Sequence, residues 1–240
     1  MVMAHPARNL FVAWIYTLYM SQKAMRAKAL GGSDARVCEY VQEWSRGLRR
    51  RVGIEVRAFG MESVDWSRTY VIMANHASYL DVLALYSSLP RIVGFVAKKE
   101  LYMIPFFNGV MRAVGCVPVD RSKHREAVDA LREAADAVHA GTTIAVFPEG
   151  TRSPGDRVQP LKKGPFHLAQ LAQVEVLPIG IRNAAALMPR QNTAIRSGVI
   201  EVHVGKPLPP PAPGDNQGRK ALMEQVRAQI AELAGVPMID

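Results

Sequence analysis

The chain has only two cysteines, Cys38 and Cys116, in 240 residues. So few, so far apart, build neither a disulfide framework nor a thiolate metal cluster; a reducing compartment is the expected setting, and each thiol reads as buried filler rather than as a nucleophile. Long apolar runs are missing too. The aromatic-rich stretch LFVAWIYTLYM at 10–20 is about half of the ~20 residues needed to cross a bilayer. Arg8 precedes it as in a secretory signal, but the SQKAMRAKAL that follows is basic where a cleavage site needs small neutral residues. There is no G-x-S-x-G elbow of a serine hydrolase, no second histidine or carboxylate pair at ligand spacing near His76 to make a metal hydrolase, and no internal repeat. Acidic residues are the minority: 21 Asp and Glu against 30 Lys and Arg leave a net charge of +9. That excess fits an anionic partner, and charge alone does not choose among nucleic acid, an acidic membrane surface, a phosphorylated substrate and an acidic carrier protein.

What is present is enough apolar sequence, 49% of residues, for one sizeable core. The first 52 residues read as a helical hairpin: one helix runs on through Lys23, Arg26 and Lys28, breaks at Gly31-Gly32, and a second starts behind a Ser33 cap. The second carries Val37, Tyr40, Val41, Trp44 and Leu48 as a stripe and ends on Arg46, Arg49, Arg50 and Arg51. Aromatic and basic residues together suit a membrane interface; the other use of such a hairpin is packing on its own domain. From Gly53 onward strands and helices alternate, which predicts an α/β domain over 53–240 with a mixed central sheet flanked by helices. Strands are expected at 54–59, 70–74, 92–97, 117–119, 143–147, 176–181 and 199–204. Helices are expected at 81–88, 105–114, 123–140, 165–173 and, after the linker PLPPPAPGDNQG, 219–233.

The stretch TYVIMANHASYLD, 69–81, concentrates the chemistry. A buried strand stops at Asn75-His76, and Asp81 follows five residues after the histidine in the first turn of a helix for which Ser78 is a candidate cap. A carboxylate holding one ring nitrogen would leave the other to take a proton from a substrate hydroxyl. H-x-x-x-x-D alone is a weak signal. A second instance, His124 to Asp129, sits inside the helical RSKHREAVDALREAADAVHA, where five residues turn the side chains roughly 140° apart.

Three other segments bring polar residues to expected strand ends. In FPEGTRS, Gly150 permits a turn closed to other residues, Thr151 and Arg152 offer donors, and Arg152 suits a bidentate phosphate contact. Glu149 beside a phosphate would repel it, so it is expected to orient Arg152 or to accept a hydrogen bond from a substrate hydroxyl. Read alone, the turn is equally an ordinary one with a surface ion pair. GCVPVDR presents Asp120 and Arg121, and FVAKKEL presents Lys98 and Lys99, of which alternation lets only one face the site.

Taken in order, NHASYLD, GCVPVDR, FPEGTRS and VLPIGI resemble the four blocks of the glycerolipid acyltransferase family, and within it the 1-acylglycerol-3-phosphate acyltransferases, which convert lysophosphatidic acid into phosphatidic acid in phospholipid biosynthesis. KKGPFHLA at 162–169 resembles the segment that the family places between its third and fourth blocks. The resemblance implies His76 as general base and Asp81 as its partner. It implies phosphate binding by Arg152 with Lys98 and Arg121, on a turn built from Gly150 and Thr151, with Asn75 and Glu149 positioning substrate. It implies no metal and no cofactor; the co-substrate is an acyl thioester of coenzyme A or acyl carrier protein. The partners are a lyso-phospholipid and an anionic membrane surface rather than nucleic acid, with the protein on the cytoplasmic face, monotopic or peripheral through its N-terminal helices. The same blocks serve relatives acting on other lyso-lipids, such as lyso-amino-lipids, and the non-enzymatic alternative is an anionic-lipid-binding module.

Overall fold

The computed structural model describes residues 6–120, 123–192 and 194–239. Helices α1 (Pro6–Ala29) and α2 (Asp34–Val52) form an antiparallel pair. Gly31, at φ 90°, turns the chain between them, and the Ser33 side chain accepts from the Arg36 N–H to start α2. Asp34 in the first turn and Arg49, Arg50 and Arg51 in the last complement the helix dipole. The two helices meet closely because Gly47 has no side chain: a Cβ there would lie 2.0 Å from the Tyr16 hydroxyl. Trp44 Nε1 donates to Thr17 Oγ1 at 2.9 Å. Val37, Val41, Leu48 and Val52 of α2 are buried, whereas Phe11, Trp14, Ile15 and Tyr19 of α1 are exposed along one face.

The rest alternates: β1 (Ile54–Phe59), β2 (Val71–Ala74), α3 (Leu80–Ser88), β3 (Gly94–Lys98), α4 (Phe107–Ala113), β4 (Val117–Val119), α5 (His124–His139), β5 (Ile144–Val146), α6 (Lys163–Ala172), β6 (Val176–Arg182), α7 (Ala184–Leu187), β7 (Gly198–Val204) and α8 (Asn216–Ala234). The strands make one seven-stranded sheet in the order β1-β7-β6-β2-β5-β3-β4, parallel throughout except for the β6–β7 pair. This is the mixed, helix-flanked α/β architecture expected from the alternation, with the helical hairpin in front of it. β2 sits in the middle, buried on both faces: Ile72 and Ala74 point into the core shared with α2 and α3, Val71 and Met73 into the core under α5, α6 and α8. Because Val41, Leu48 and Val52 belong to the first of these cores, the boundary drawn at residue 52 is a change of element and not a break in packing.

Several boundaries differ by a few residues from those expected, two of them for evident local reasons. Helix α6 starts at Lys163, which leaves Pro165 in the first turn where its missing N–H costs nothing. Helix α8 starts at Asn216 because Asp215 accepts from the Gly218 N–H. Since β2, β3, β4 and β5 run parallel, the segments that follow them all emerge at one edge of the sheet, the usual place for a ligand in such folds. His76, Lys98, Asp120 and the FPEGTRS turn are delivered there together.

Candidate active site

Asn75 follows the last residue of β2, and its amide bonds to the sheet. Nδ2 donates to the Ile181 carbonyl at 2.9 Å and Oδ1 accepts from the Ile181 N–H at 2.7 Å, tying β2 to β6. In this position the amide that was expected to position substrate serves the backbone of β6. The next residue, His76, places Nδ1 2.7 Å from Asp81 Oδ2. The same oxygen accepts from the Ala77 and Ser78 N–H groups at 2.8 and 2.9 Å. Although α3 starts at Leu80, Ser78 does act as its cap: Oγ accepts from the Leu80 N–H at 3.2 Å and Asp81 reaches back to the Ser78 N–H. An ionised carboxylate only accepts, so Nδ1 carries the proton and Nε2 keeps its lone pair. Among the described residues Nε2 has no hydrogen-bond partner. The imidazole stacks on Phe147 at 4.0 Å between ring centroids, which holds the ring plane. Asp81 is fully buried, and among the described residues its Oδ1 has no hydrogen-bond partner, while Oδ2 meets the histidine.

The FPEGTRS turn after β5 grips the histidine's backbone. Glu149 is 2% exposed; one oxygen accepts from the His76 N–H at 2.8 Å, the other from the Gln159 N–H at 3.0 Å. Ser153 holds the opposite side of the same residue, its N–H and Oγ both donating to the His76 carbonyl at 2.7 and 3.1 Å. Glu149 thus neither orients Arg152 nor faces substrate, correcting the expectation: it points inward because Gly150, at φ 76°, swings the chain so that residues 149 and 152 leave the turn in different directions. Burial pushes the Glu149 carboxyl up, with the two backbone N–H groups opposing the rise. A folded value above the unfolded one means that the associated stability is greatest in acid and is lost as pH rises through the folded value. Compared with Glu149→Gln, which stays neutral, the parent should hold its largest stability advantage at acid pH and lose part of it toward neutrality. Thermal melts of both proteins across that range check this, and parallel profiles would assign the pH dependence elsewhere.

The cations divide into paired and unpaired. Lys98 lines the cavity beside His76 but is bonded to Glu100 at 3.1 Å. Lys99 turns away to Asp120 and, at 3.8 Å, to Glu126, so one lysine of the pair faces the site. The guanidinium of Arg152 lies 3.9 Å above the centre of the Tyr79 ring. Lys162 runs its stem along the turn: a Cβ on Gly150 would be 3.3 Å from Lys162 Cγ. Among the described residues neither Arg152 nor Lys162 has a carboxylate partner; Arg152 lines the cavity with Gly150 and Thr151, and Lys162 packs against Gly150. Sequence reasoning assigned Lys162 no role; its place in KKGPFHLA beside the four blocks was the only signal. Arg121 lies outside the described residues.

His76, Tyr79, Gly150, Thr151 and Arg152 form the polar end of one cavity of about 790 Å³. Its remaining wall is mostly apolar, built by α1, α2, α3, β3 and α4 with Met20, Trp44, Tyr86, Phe95, Val110 and Met111. A base, an unpaired cation and a long apolar space fit an amphiphile that has an anionic head and a hydroxyl. Cys116 also lines the space, but burial pushes its thiol up to about 11, which keeps it protonated and poorly nucleophilic. Among the described residues no group of three or more His, Cys, Asp or Glu is placed to hold a metal ion.

The acyltransferase family model matches residues 55–182. Over 164 residues the chain is 33% identical to a 1-acyl-sn-glycerol-3-phosphate acyltransferase of Saccharomyces cerevisiae, covering 67% of this chain and 54% of the relative. Over 177 residues it is 34% identical to the chloroplastic 1-acyl-sn-glycerol-3-phosphate acyltransferase BAT2 of Brassica napus, covering 72% and 49% respectively. The chain spans about half the length of these curated relatives. The crystal structure of the 1-acyl-sn-glycerophosphate acyltransferase from Thermotoga maritima superposes with a TM-score of 0.74 at 26% identity, covering 95% of this chain and 96% of that one.

Proposed function

Because this chain belongs to the acyltransferase family, we propose that it moves a fatty acyl group from a thioester to the free sn-2 hydroxyl of 1-acylglycerol 3-phosphate, forming phosphatidic acid. The observation that carries this reading is that the free Nε2 of His76 and the guanidinium turn of Arg152 border a single cavity. His76 Nε2 takes the hydroxyl proton as the oxygen attacks the thioester carbonyl; the tetrahedral intermediate collapses, the C–S bond breaks, and the proton passes to the departing thiolate. Asp81 holds the tautomer and stabilises the imidazolium formed on the way. Base assistance of this kind supplies roughly 10²- to 10⁴-fold. Anchoring the phosphate on Arg152, with Lys98 and Lys162 nearby, supplies register between the reacting oxygen and the base. The apolar part of the cavity is of a size to take an acyl chain.

The donor is an acyl-coenzyme A or acyl carrier protein, both anionic and both suited to a chain of net charge +9. The protein works at the cytoplasmic face of a membrane. Among the described residues no helix is long and apolar enough to cross one, and the exposed Phe11, Trp14, Ile15 and Tyr19 face of α1 supports interfacial docking.

The test is a thiol-release assay with lysophosphatidic acid, glycerol 3-phosphate and a lyso-amino-lipid offered side by side, each with both donor types. Phosphatidic acid with stoichiometric thiol supports the reading; thiol release only with the amino-lipid reassigns the acceptor, and none with any pair removes the enzyme. In the same assay Arg152→Ala should lower kcat/KM for the phosphorylated acceptor roughly 10- to 100-fold, the loss of one or two charge-assisted hydrogen bonds. Equal losses on phosphorylated and unphosphorylated acceptors would remove the clamp.

A further inference from the structure

Between β3 and α4 the chain reads KELYMIPF, and this segment turns apolar side chains outward. Met103 is 83% exposed and Phe106 45%, with Leu101 exposed beside them. Phe106 also holds a left-handed backbone, φ 67°, which a bulky residue seldom adopts. Had the chain needed only a turn, glycine would have made it without strain. A phenyl ring kept at the surface in such a conformation is better explained by something outside the chain that receives it.

We propose that residues 101–106 form a second membrane-inserting element, so that the protein is held on the leaflet by the catalytic domain as well as by α1, with the cavity between the two. This rests on the interfacial docking of α1 put forward above. Both elements wall the same cavity, α1 through Met20 and Ala24, the other segment through Leu101. α1 also packs on α4, the helix into which this segment leads: Met25 fills the space over Gly109, where a Cβ would lie 2.3 Å from the Met25 methyl. The exposed Arg26 directly follows Met25, and the exposed Arg112, whose Nε donates to Asn108 Oδ1 at 2.8 Å and whose guanidinium lies over the Tyr102 ring, sits about one turn after Gly109; among the described residues neither has a carboxylate partner. Exposed apolar tips beside exposed arginines that have no carboxylate partner among the described residues match acyl chains beneath anionic headgroups. A lipid leaflet is also the occupant whose hydrocarbon is continuous with what the cavity is built to accept. The acceptor's acyl chain would then slide in from the leaflet without crossing water.

Hydrogen exchange on the full chain, with and without vesicles of phosphatidylethanolamine and phosphatidylglycerol, tests this. Lipid-dependent protection of both α1 and 101–106 is the expected result. Protection of α1 alone overturns the second element and leaves docking intact, whereas protection of neither overturns both. Protection of 101–106 that appears without lipid and rises with protein concentration would assign the surface to a second copy and also overturn the proposal. Phe106→Gly, which relieves the backbone, should lower vesicle partitioning roughly tenfold without lowering the thermal midpoint. Met103→Asp should lower partitioning at least as much, yet preserve turnover on a short-chain, water-soluble acceptor. Partitioning unchanged in both variants rejects the element.

Discussion

His76→Ala should lower acyl transfer by about 10²- to 10⁴-fold while the chain stays folded. The basis is the division of labour on the ring: Nδ1 is engaged by Asp81, and Nε2 is the group with a lone pair facing the cavity. Folding survives because the surrounding turn is held by backbone groups. Asp81 keeps its two N–H donors from Ala77 and Ser78, and the peptide of residue 76 keeps its bonds to Glu149 and Ser153. One donor to a buried carboxylate is lost, a cost of about 1–3 kcal/mol. Thiol release measured beside a thermal melt checks both parts. Turnover close to that of the parent, in a folded variant, would remove the general-base mechanism altogether.

Asp81→Asn should produce a loss of similar size, about 10²- to 10⁴-fold, by a different route. Asparagine can keep one oxygen on the Ala77 and Ser78 N–H groups and on His76 Nδ1, so the turn and the tautomer are retained. The negative charge is not, and the imidazolium formed as the hydroxyl ionises loses its counter-charge in a site where water cannot replace it. Asp81→Ala goes further: two backbone N–H groups that Asp81 now satisfies would be left inside the protein, costing about 1–3 kcal/mol each. Comparing the two variants separates charge from scaffold. If asparagine were as active as aspartate and only alanine failed, Asp81 would be a helix cap and nothing more.

Much of the architecture was legible in residue patterns because it follows from local rules. Ser33 after Gly31-Gly32 starts α2 as its capping chemistry requires, and β1 and β4 run over the expected residues. The alternation of strand and helix was enough to predict a helix-flanked mixed sheet. The short helix α7 escaped notice, since its four residues carry too little periodicity to register. At the site, residue types were readable but directions were not. Glu149 and Asn75 looked like substrate contacts because polar residues at strand ends often are. Their partners are Gln159, His76 and Ile181, the last 106 positions from Asn75. Lys98 and Lys99 were separable by strand alternation to the extent that one had to leave, but the pairing of Lys99 with Asp120 depends on β3 and β4 lying side by side.

The order of amino acids alone determined the elements, their caps, the excess of positive charge and the association of histidine with an aspartate five residues on, since each depends on neighbours within a few turns of chain. Three-dimensional packing decided which polar groups are free to react. A hydrogen bond consumes a donor or acceptor regardless of how distant its partner is in the chain, and only the folded sheet brings those partners into range. That closure engages the Asn75 and Glu149 side chains with backbone groups, leaves His76 Nε2 and Arg152 open to one cavity, and turns Met103 and Phe106 to the outside.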